Sequence, residues 1–323
     1  MQFPAIFYFL LATVVAKNIL LTNDDSWIST NIRATYYKLK EAGHTVYLVA
    51  PANQRSGFGG RFEVPTSNKL TVDGEFGYVK AGDPAWGHEP NDDHIWYFGG
   101  SPASSVAFAL KYVLPVHFKT NDTIDLVVAG PNEGTNLSPG LFTISGTIGG
   151  TVAAVYRGLP AVGFSGSNGN NTLYSDFLDL SDELEPSTIY ANKVVEFVDE
   201  LFKAQGNNDR ALPLGVGLNV NMPDVGYRNE SCTNPKWTST RLTGHNAYAP
   251  DLLYDADKQI FSYHTSTLDA LTVCANGDCT LPSETDIVEH TKCQSSVSVF
   301  NIDYDANAAL TEQTNELLKP LFA

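Results

Sequence analysis

The chain has 323 residues, 43% of them hydrophobic and 17% charged, a balance that supports a substantial core and excludes a disordered tail. Its 36 acidic residues outnumber 20 basic ones, giving a formal net charge of -16, and no basic run offers a face to a phosphate backbone. Charge-driven binding to a nucleic-acid duplex is therefore excluded, and no window of about 18 apolar residues occurs to span a membrane.

Residues 5–16 (AIFYFLLATVVA) form a short uncharged apolar run that ends on Val14 and Ala16 in the spacing a signal peptidase accepts. Residues 1–16 are therefore read as a secretory signal peptide and the protein as secreted, although no Lys or Arg precedes the run. The apolar NILLT of a first strand follows at 18–22.

Short β-branched runs then alternate with longer amphipathic stretches, the rhythm of βαβ units feeding a mostly parallel sheet, so the fold class is α/β. Further strands are expected at TVYLVA (45–50), DLVVAG (125–130), PAVGFS (160–165), LGVGLNV (214–220) and SVSVFNI (296–302). Helices fit at about 29–42, 102–113, 149–158, 187–205 and 306–321, the first stopping at Glu41-Ala42-Gly43. Residues 82–101 are rich in Gly, Pro and Asp and are expected to form a long loop. Residues 222–294 show few helical periods and read as an appended region of hairpins and loops, leaving a core of about 17–221 and 295–323.

All four cysteines, Cys232, Cys274, Cys279 and Cys293, lie in that appended region, and an even number in a secreted chain suggests disulfides with three possible connectivities. The CANGDC loop is compatible with a Cys274–Cys279 bridge, leaving Cys232 with Cys293. A zinc site is the rival, but no CxxC pair is present. Glycosylation sequons fall at Asn121, Asn170 and Asn229, and a fourth, at Asn136, is suspect because Pro139 follows its serine.

Ligands of open α/β sheets bind beyond the carboxyl ends of the strands. Three loops there carry oxygen-bearing side chains: Asn23-Asp24-Asp25-Ser26, the segment from Pro51 to Gly57 with Ser56, and Pro131-Asn132-Glu133-Gly134-Thr135-Asn136. Adjacent carboxylates at a strand end repel unless a cation or proton compensates, and oxygen-only donors suit a hard ion such as Mg2+, Mn2+ or Ca2+. Taken singly, Asp24 reads as a helix cap and Asn132 as a turn residue; their joint placement points to a site. A fourth loop, Thr143 to Thr151, is glycine-rich and opens a helix, so backbone N–H groups there could face a phosphate. It matches neither a Walker loop nor the GxGxxG fingerprint, and close helix packing explains its glycines equally well.

The blocks ILLTNDD (19–25), APANQRSG (50–57), GSPAS (100–104), DLVVAGPNEGTN (125–136), SGTIGGTVAAVYRGLPAVGFS (145–165), NVNMP (219–223) and TDI with SVSVF near 285–300 resemble the SurE family, in family order and across nearly the whole mature chain. The resemblance implies a Rossmann-like three-layer α/β/α sandwich with a β-hairpin-rich C-terminal extension that forms a homodimer. It implies a metal-dependent phosphomonoesterase, a 5′/3′-nucleotidase or acid phosphatase, acting on a small phosphate monoester. One divalent ion would be held by Asp24, Asp25, Ser56 and Asn132, with Asp24 and Asp25 catalytic. Asn23, Ser145, Gly146 and Thr147 would lie near the phosphate. Two departures stand out: the glycine usual after the paired acids is Ser26, and the acid of the GTPxD block is Ser104. The signal segment and cysteine-bearing insert suggest a secreted fungal-type branch.

Other chemistries find less support. His88 and His94 stand with Glu89, Asp92 and Asp93 in an acidic segment read as solvated loop, and no GxSxG elbow or RHG nucleophile motif occurs. The alternative class is a secreted non-catalytic protein that keeps the fold and the cation but not turnover.

Overall fold

The computed structural model describes residues 16–321, so all but the last residue of the expected signal peptide lies outside the described residues. The chain runs β1 (Asn18–Thr22), α1 (Thr30–Glu41), β2 (Thr45–Pro51), β3 (Trp86–Glu89), β4 (Asp92–Phe98), α2 (Pro102–Phe108), β5 (Leu126–Glu133), α3 (Ser138–Ile144), α4 (Gly146–Val155) and β6 (Ala161–Gly166). It continues with α5 (Tyr174–Phe177), α6 (Pro186–Gln205), β7 (Val216–Met222), β8 (Lys236–Thr240), β9 (Tyr248–Asp255), β10 (Ile260–Thr267), α7 (Asp269–Thr272), α8 (Glu284–His290), β11 (Gln294–Asn301) and α9 (Ala308–Leu318). After α2 the helix widens into π turns over Ala109–Phe118, around the internal Pro115.

Nine strands form one sheet in the order β3-β4-β2-β1-β5-β6-β7-β11-β8, and β9 and β10 form a separate hairpin. From β4 to β7 every pairing is parallel; β3 on β4 and β11 on β7 are antiparallel. Alternate strand residues face opposite layers. Ile19 and Leu21 pack with Ile32, Tyr36 and Leu39 of α1 and Tyr190, Val194 and Val198 of α6. Leu20, Val49 and Val127 pack on the other side with Val106, Ile148 and Val152 of α2 and α4. This is the expected Rossmann-like sandwich, covered on both faces as a parallel sheet requires. Helix α1 places Lys38 and Lys40 in its last turn, where cations suit the dipole, and Gly43 at φ +95° turns the chain into β2.

The expected loop at 82–101 is corrected: it contains the β3–β4 hairpin, joined by Pro90-Asn91, with β4 extending the sheet beside β2. Burial of the Ile95-Trp96-Tyr97-Phe98 run outweighs the surrounding turn residues, and Pro90 sits in the link, where no ladder hydrogen bond is needed. Helix α4 starts at Gly146, three residues before the expected position, because Ser145 caps it through Oγ, which accepts from Ile148 N–H at 3.2 Å.

Both disulfides form as the CANGDC loop suggested: Cys274–Cys279 and Cys232–Cys293. The segment from 222 to 294 contributes the β9–β10 hairpin, yet it also lends β8 to the main sheet, parallel to β11.

Candidate metal and phosphate site

Strand order reverses at β1, with β2 on one side and β5, reached by a long crossover, on the other. The carboxyl ends of β1 and β5 lie side by side at Thr22 and Ala129, the crevice where such sheets bind ligands. The pairing of β5 with β6 slips between Ala129 and Asn132, across the cis Gly130–Pro131 bond, and resumes at Asn132 opposite Ser165. Gly130 takes φ +102° there, and a Cβ would stand 2.1 Å from the Phe164 carbonyl oxygen, so only glycine fits.

The crevice gathers most of the sequence-derived site. Asp24, Asp25, Asn132, Ser145 and Thr147 are all buried. The Thr147 hydroxyl donates to Asp24 Oδ1 at 2.6 Å and approaches Asn132 Oδ1 at 3.4 Å. Asp25 Oδ2 accepts from the Glu133 N–H at 2.8 Å, and Asn132 Nδ2 donates to the Gly134 carbonyl at 2.7 Å, leaving the Asn132 amide oxygen turned to the hydroxyl. Gly146 lies flat against Asp24: a Cβ would be 2.8 Å from Asp24 Oδ2 and 2.7 Å from the Arg55 carbonyl. Gly146 therefore packs closely at the very residue that opens α4 beside Asp24.

The electrostatics are unbalanced. Burial pushes the Asp24 carboxyl up, and the Thr147 hydroxyl and the backbone N–H groups of Thr147 and Gly146 pull it only partly back. Asp25 is held well above the ordinary carboxylate range, first by burial, then by the charges of Asp24 and Glu133. Glu133 is itself raised to about 8 by burial. No cationic side chain is among the groups that set either aspartate. Asp25 Oδ1, Asn23 Oδ1 and Glu133 Oε1 are buried without a hydrogen-bond partner. Unpartnered oxygens around two mutually repelling carboxylates fit a hard divalent cation, whose charge would relieve all of these penalties together.

Ser56 stands apart. It is exposed on the β2 loop, and its Oγ accepts from Gln54 Nε2 at 2.8 Å. The neighbouring Arg55 N–H donates to the Asp24 carbonyl at 2.6 Å, which fixes the loop beside the crevice. Asn23 is buried, with Nδ2 on the Ser26 carbonyl at 3.2 Å. Asn136, the suspect sequon, is buried with Nδ2 on Ser165 Oγ at 2.8 Å.

Three residues that bound the site escaped sequence reasoning. Ser29 Oγ and Asn171 Nδ2 both donate to the Asp25 carbonyl, the latter at 2.9 Å. Glu133, which the sequence placed only among the oxygen-bearing residues of its loop, is a third buried acid beside Asp25. The Asn-rich SNGNNT stretch (167–172) was the available signal for Asn171, since amides recur where loops close on themselves.

The two departures have local explanations. Ser26 is fully buried at φ +98°, a conformation that favours glycine, and its Oγ reaches the Ala52 carbonyl at 3.4 Å. Ser104 occupies the third position of α2, where its Oγ accepts from Ser101 N–H at 2.9 Å in a capping box and also binds the Glu63 carbonyl.

Asp92, Asp93 and His94 each place a ligand atom within 4.8 Å of the others, a set able to coordinate a divalent cation. They begin β4, at the end of the sheet opposite the crevice, and they have partners already. Asp92 accepts from Tyr36 at 2.7 Å and Lys40 at 3.1 Å, and Asp93 bridges His94 and His117 at 3.1 and 3.2 Å.

Fold and site together define a doubly wound α/β protein with an acidic, all-oxygen centre at its switch point. The family profile described as "Survival protein SurE" matches residues 19–247, and the chain belongs to the SurE family. It is 44% identical to a protein named acid phosphatase from Yarrowia lipolytica over 305 residues, 94% of this chain and 84% of that one. It is 36% identical to the 5'-nucleotidase SurE of Desulfovibrio desulfuricans, over 46% of this chain and 49% of the relative. With its Archaeoglobus fulgidus namesake it shares 31% identity over 64% of this chain and 66% of that one. A crystal structure of SurE from Aquifex aeolicus superposes with a TM-score of 0.60 at 22% identity, covering 93% of this chain and 99% of that one, and establishes the fold.

Proposed function

We propose that the protein is a divalent-metal-dependent phosphomonoesterase, acting on nucleoside monophosphates, on other phosphate monoesters, or on both. The observation that carries the reading is the burial of Asp24 and Asp25 together, with no cationic side chain of the described residues among the main groups that set their charge, beside Asn132 and the Ser145-Gly146-Thr147 helix entrance. Asp24, Asp25 and Asn132 hold the cation, with Ser56 joining from its adjacent loop. Mg2+, Mn2+ or Ca2+ suits this donor set, and when bound it supplies polarisation of a phosphoryl oxygen and offsets charge on the leaving oxygen. Asp24 and Asp25 are the catalytic carboxylates; Asn23, Ser145, Gly146 and Thr147 orient the anionic oxygens at the N-terminus of α4. The names of the relatives, acid phosphatase and 5'-nucleotidase, support the same chemistry. Phosphate release from AMP and p-nitrophenyl phosphate is expected to stop with a chelator and return with Mg2+ or Mn2+. Cation binding without any phosphate release would leave a non-catalytic binding protein instead.

We also propose export, as in a secreted fungal-type branch. The apolar run before Ala16, two disulfides and the exposed sequon residues Asn121 and Asn170 support it; Asn229 is half-buried. Intact mass of protein recovered from culture medium is expected to show loss of residues 1–16 and added glycan. Retention in the cell at full-length mass would refute export.

A homodimer is the third part of the proposal. The β9–β10 hairpin exposes Leu252, Tyr254, Phe261 and Tyr263 on one face, the last two by 66% and 68%, and such a contiguous exposed apolar cluster supports an interaction site. Phe261→Asp combined with Tyr263→Asp is expected to lower the mass seen in sedimentation velocity by half. A parent that sediments as a monomer would dismiss the dimer.

A further inference from the structure

We propose that Glu284, supplied by the C-terminal extension, is a positioning residue for the turn that follows Asn132 and whose Gly134 carbonyl accepts from Asn132 Nδ2. Between β5 and α3 the chain is an irregular turn, residues 134–137, and its course is fixed from outside. The Asn136 N–H donates to Asn221 Oδ1 at 2.7 Å, and Asn219 Nδ2 donates to the Asn136 carbonyl at 3.1 Å. Two residues on, the Ser138 N–H donates to Glu284 Oε1 at 2.7 Å, and Ser138 Oγ pairs with Thr285 Oγ1 at 2.7 Å.

Glu284 is a costly residue to place there. It is fully buried, as are Ser138, Asn219 and Ser298, and no Lys, Arg or His is among the groups of the described residues that act on its charge. What it offers is acceptor capacity. Its two oxygens take the Ser138 N–H, the Ser298 hydroxyl at 2.8 Å and Asn219 Nδ2 at 3.1 Å, so one carboxylate ties β7, β11 and the start of α3 together. Ser138 is held at φ +66°, a conformation a non-glycine residue keeps only when its surroundings impose it. The contact also sits at the first residue of α3, the helix that runs directly into Ser145, Gly146 and Thr147. One buried acid therefore braces two neighbours of the crevice, the turn that follows Asn132 on one side and the start of the α3 segment that leads to the α4 entrance on the other. Burial pushes the Glu284 carboxyl up to about 8, and the bonds from Ser298, Ser138 and Asn219 oppose that rise.

The inference rests on the proposed metal site, and its test reads cation binding rather than turnover. Mn2+ affinity of the full chain is measured by calorimetry, alongside the unfolding midpoint, for the parent and for Glu284→Ala, Glu284→Gln and Thr285→Val. Loss of a group that orients a ligand weakens metal binding by about tenfold or more, and that is the expected result for Glu284→Ala. Glu284→Gln keeps the size and one acceptor oxygen, and Thr285→Val removes a single bond at constant shape; both are expected to weaken Mn2+ binding by less than the roughly tenfold of Glu284→Ala. If Glu284→Ala fails to fold, these two isosteric variants decide. Mn2+ affinity equal to the parent's in the folded variants overturns the inference. A parent that binds no Mn2+ overturns the phosphomonoesterase reading itself, so the two failures are distinguishable.

Discussion

Asp25→Asn is expected to abolish turnover while making the metal-free protein more stable. The folded state holds this carboxyl well above its ordinary range, because it is buried beside Asp24 and Glu133. A carboxyl raised in this way binds its proton more tightly folded than unfolded, so its contribution to stability is greatest below the ordinary carboxylate range and is lost as pH rises toward the folded value. At pH 7 the parent carries that penalty and the amide does not. The unfolding midpoint of Asp25→Asn without metal should therefore exceed the parent's at pH 7, and the difference should close toward pH 4. Turnover should move the other way. Without one of the paired anions the crevice holds its cation poorly, and kcat/KM should fall by about a thousandfold, equivalent to about 4 kcal/mol of barrier. A variant within tenfold of the parent on p-nitrophenyl phosphate, or one less stable than the parent at pH 7, would remove Asp25 from the role assigned to it.

Two adjacent glycines of α4 are expected to respond oppositely to alanine. A Cβ on Gly149 would lie 1.9 Å from the Gly59 carbonyl oxygen and 2.5 Å from its carbon, so the helix and the β2 loop touch backbone to backbone. Gly149→Ala must push that loop away, and overpacking of this kind costs about 1–3 kcal/mol. Because the same loop carries Ser56, activity should fall beyond what the lost stability explains. On Gly150 the nearest atoms to a Cβ are Pro102 Cβ and Thr22 Cγ2, both at 3.4 Å, an ordinary contact. Gly150→Ala gains helix propensity and should stabilise by about 0.5–1 kcal/mol with activity intact. Denaturant midpoints and phosphate release on both variants settle the comparison; equal effects would show that the close approach at Gly149 is not tight.

Much of this was legible in the residue order, for identifiable reasons. The strands β1 and β2 and the first half of β5 are buried on both faces and read as short, nearly continuous apolar runs, a pattern that parallel sheets enforce. Asp24, Asp25, Asn132 and Thr147 could be placed at one rim because each follows a strand or opens a helix, and strand ends share a rim by topology. The β3–β4 hairpin escaped because its four-residue buried run, Ile95 to Phe98, is flanked by turn formers on both sides. The start of α4 escaped because Gly149-Gly150 reads as a boundary, whereas packing on Gly59 demands small residues inside the helix. Buried charges were the hardest to foresee. Arg33 lies inside α1, stacked 4.1 Å from the Tyr174 ring and paired with Glu89, and neither it nor Glu284 has a local pattern that separates it from a solvated charge.

The partners of Asp25 are far from it in sequence: Glu133 is 108 residues away and Asn171 is 146. Its crevice therefore needs the whole stretch from β1 to Asn171 at once, and neither a fragment cut between Asp25 and Asn171 nor a nascent chain halted before about residue 171 can present it. On the proposed site, cation uptake would report that the segments from β1 to Asn171 have assembled, and a cation that binds only that assembled state would shift the equilibrium toward it.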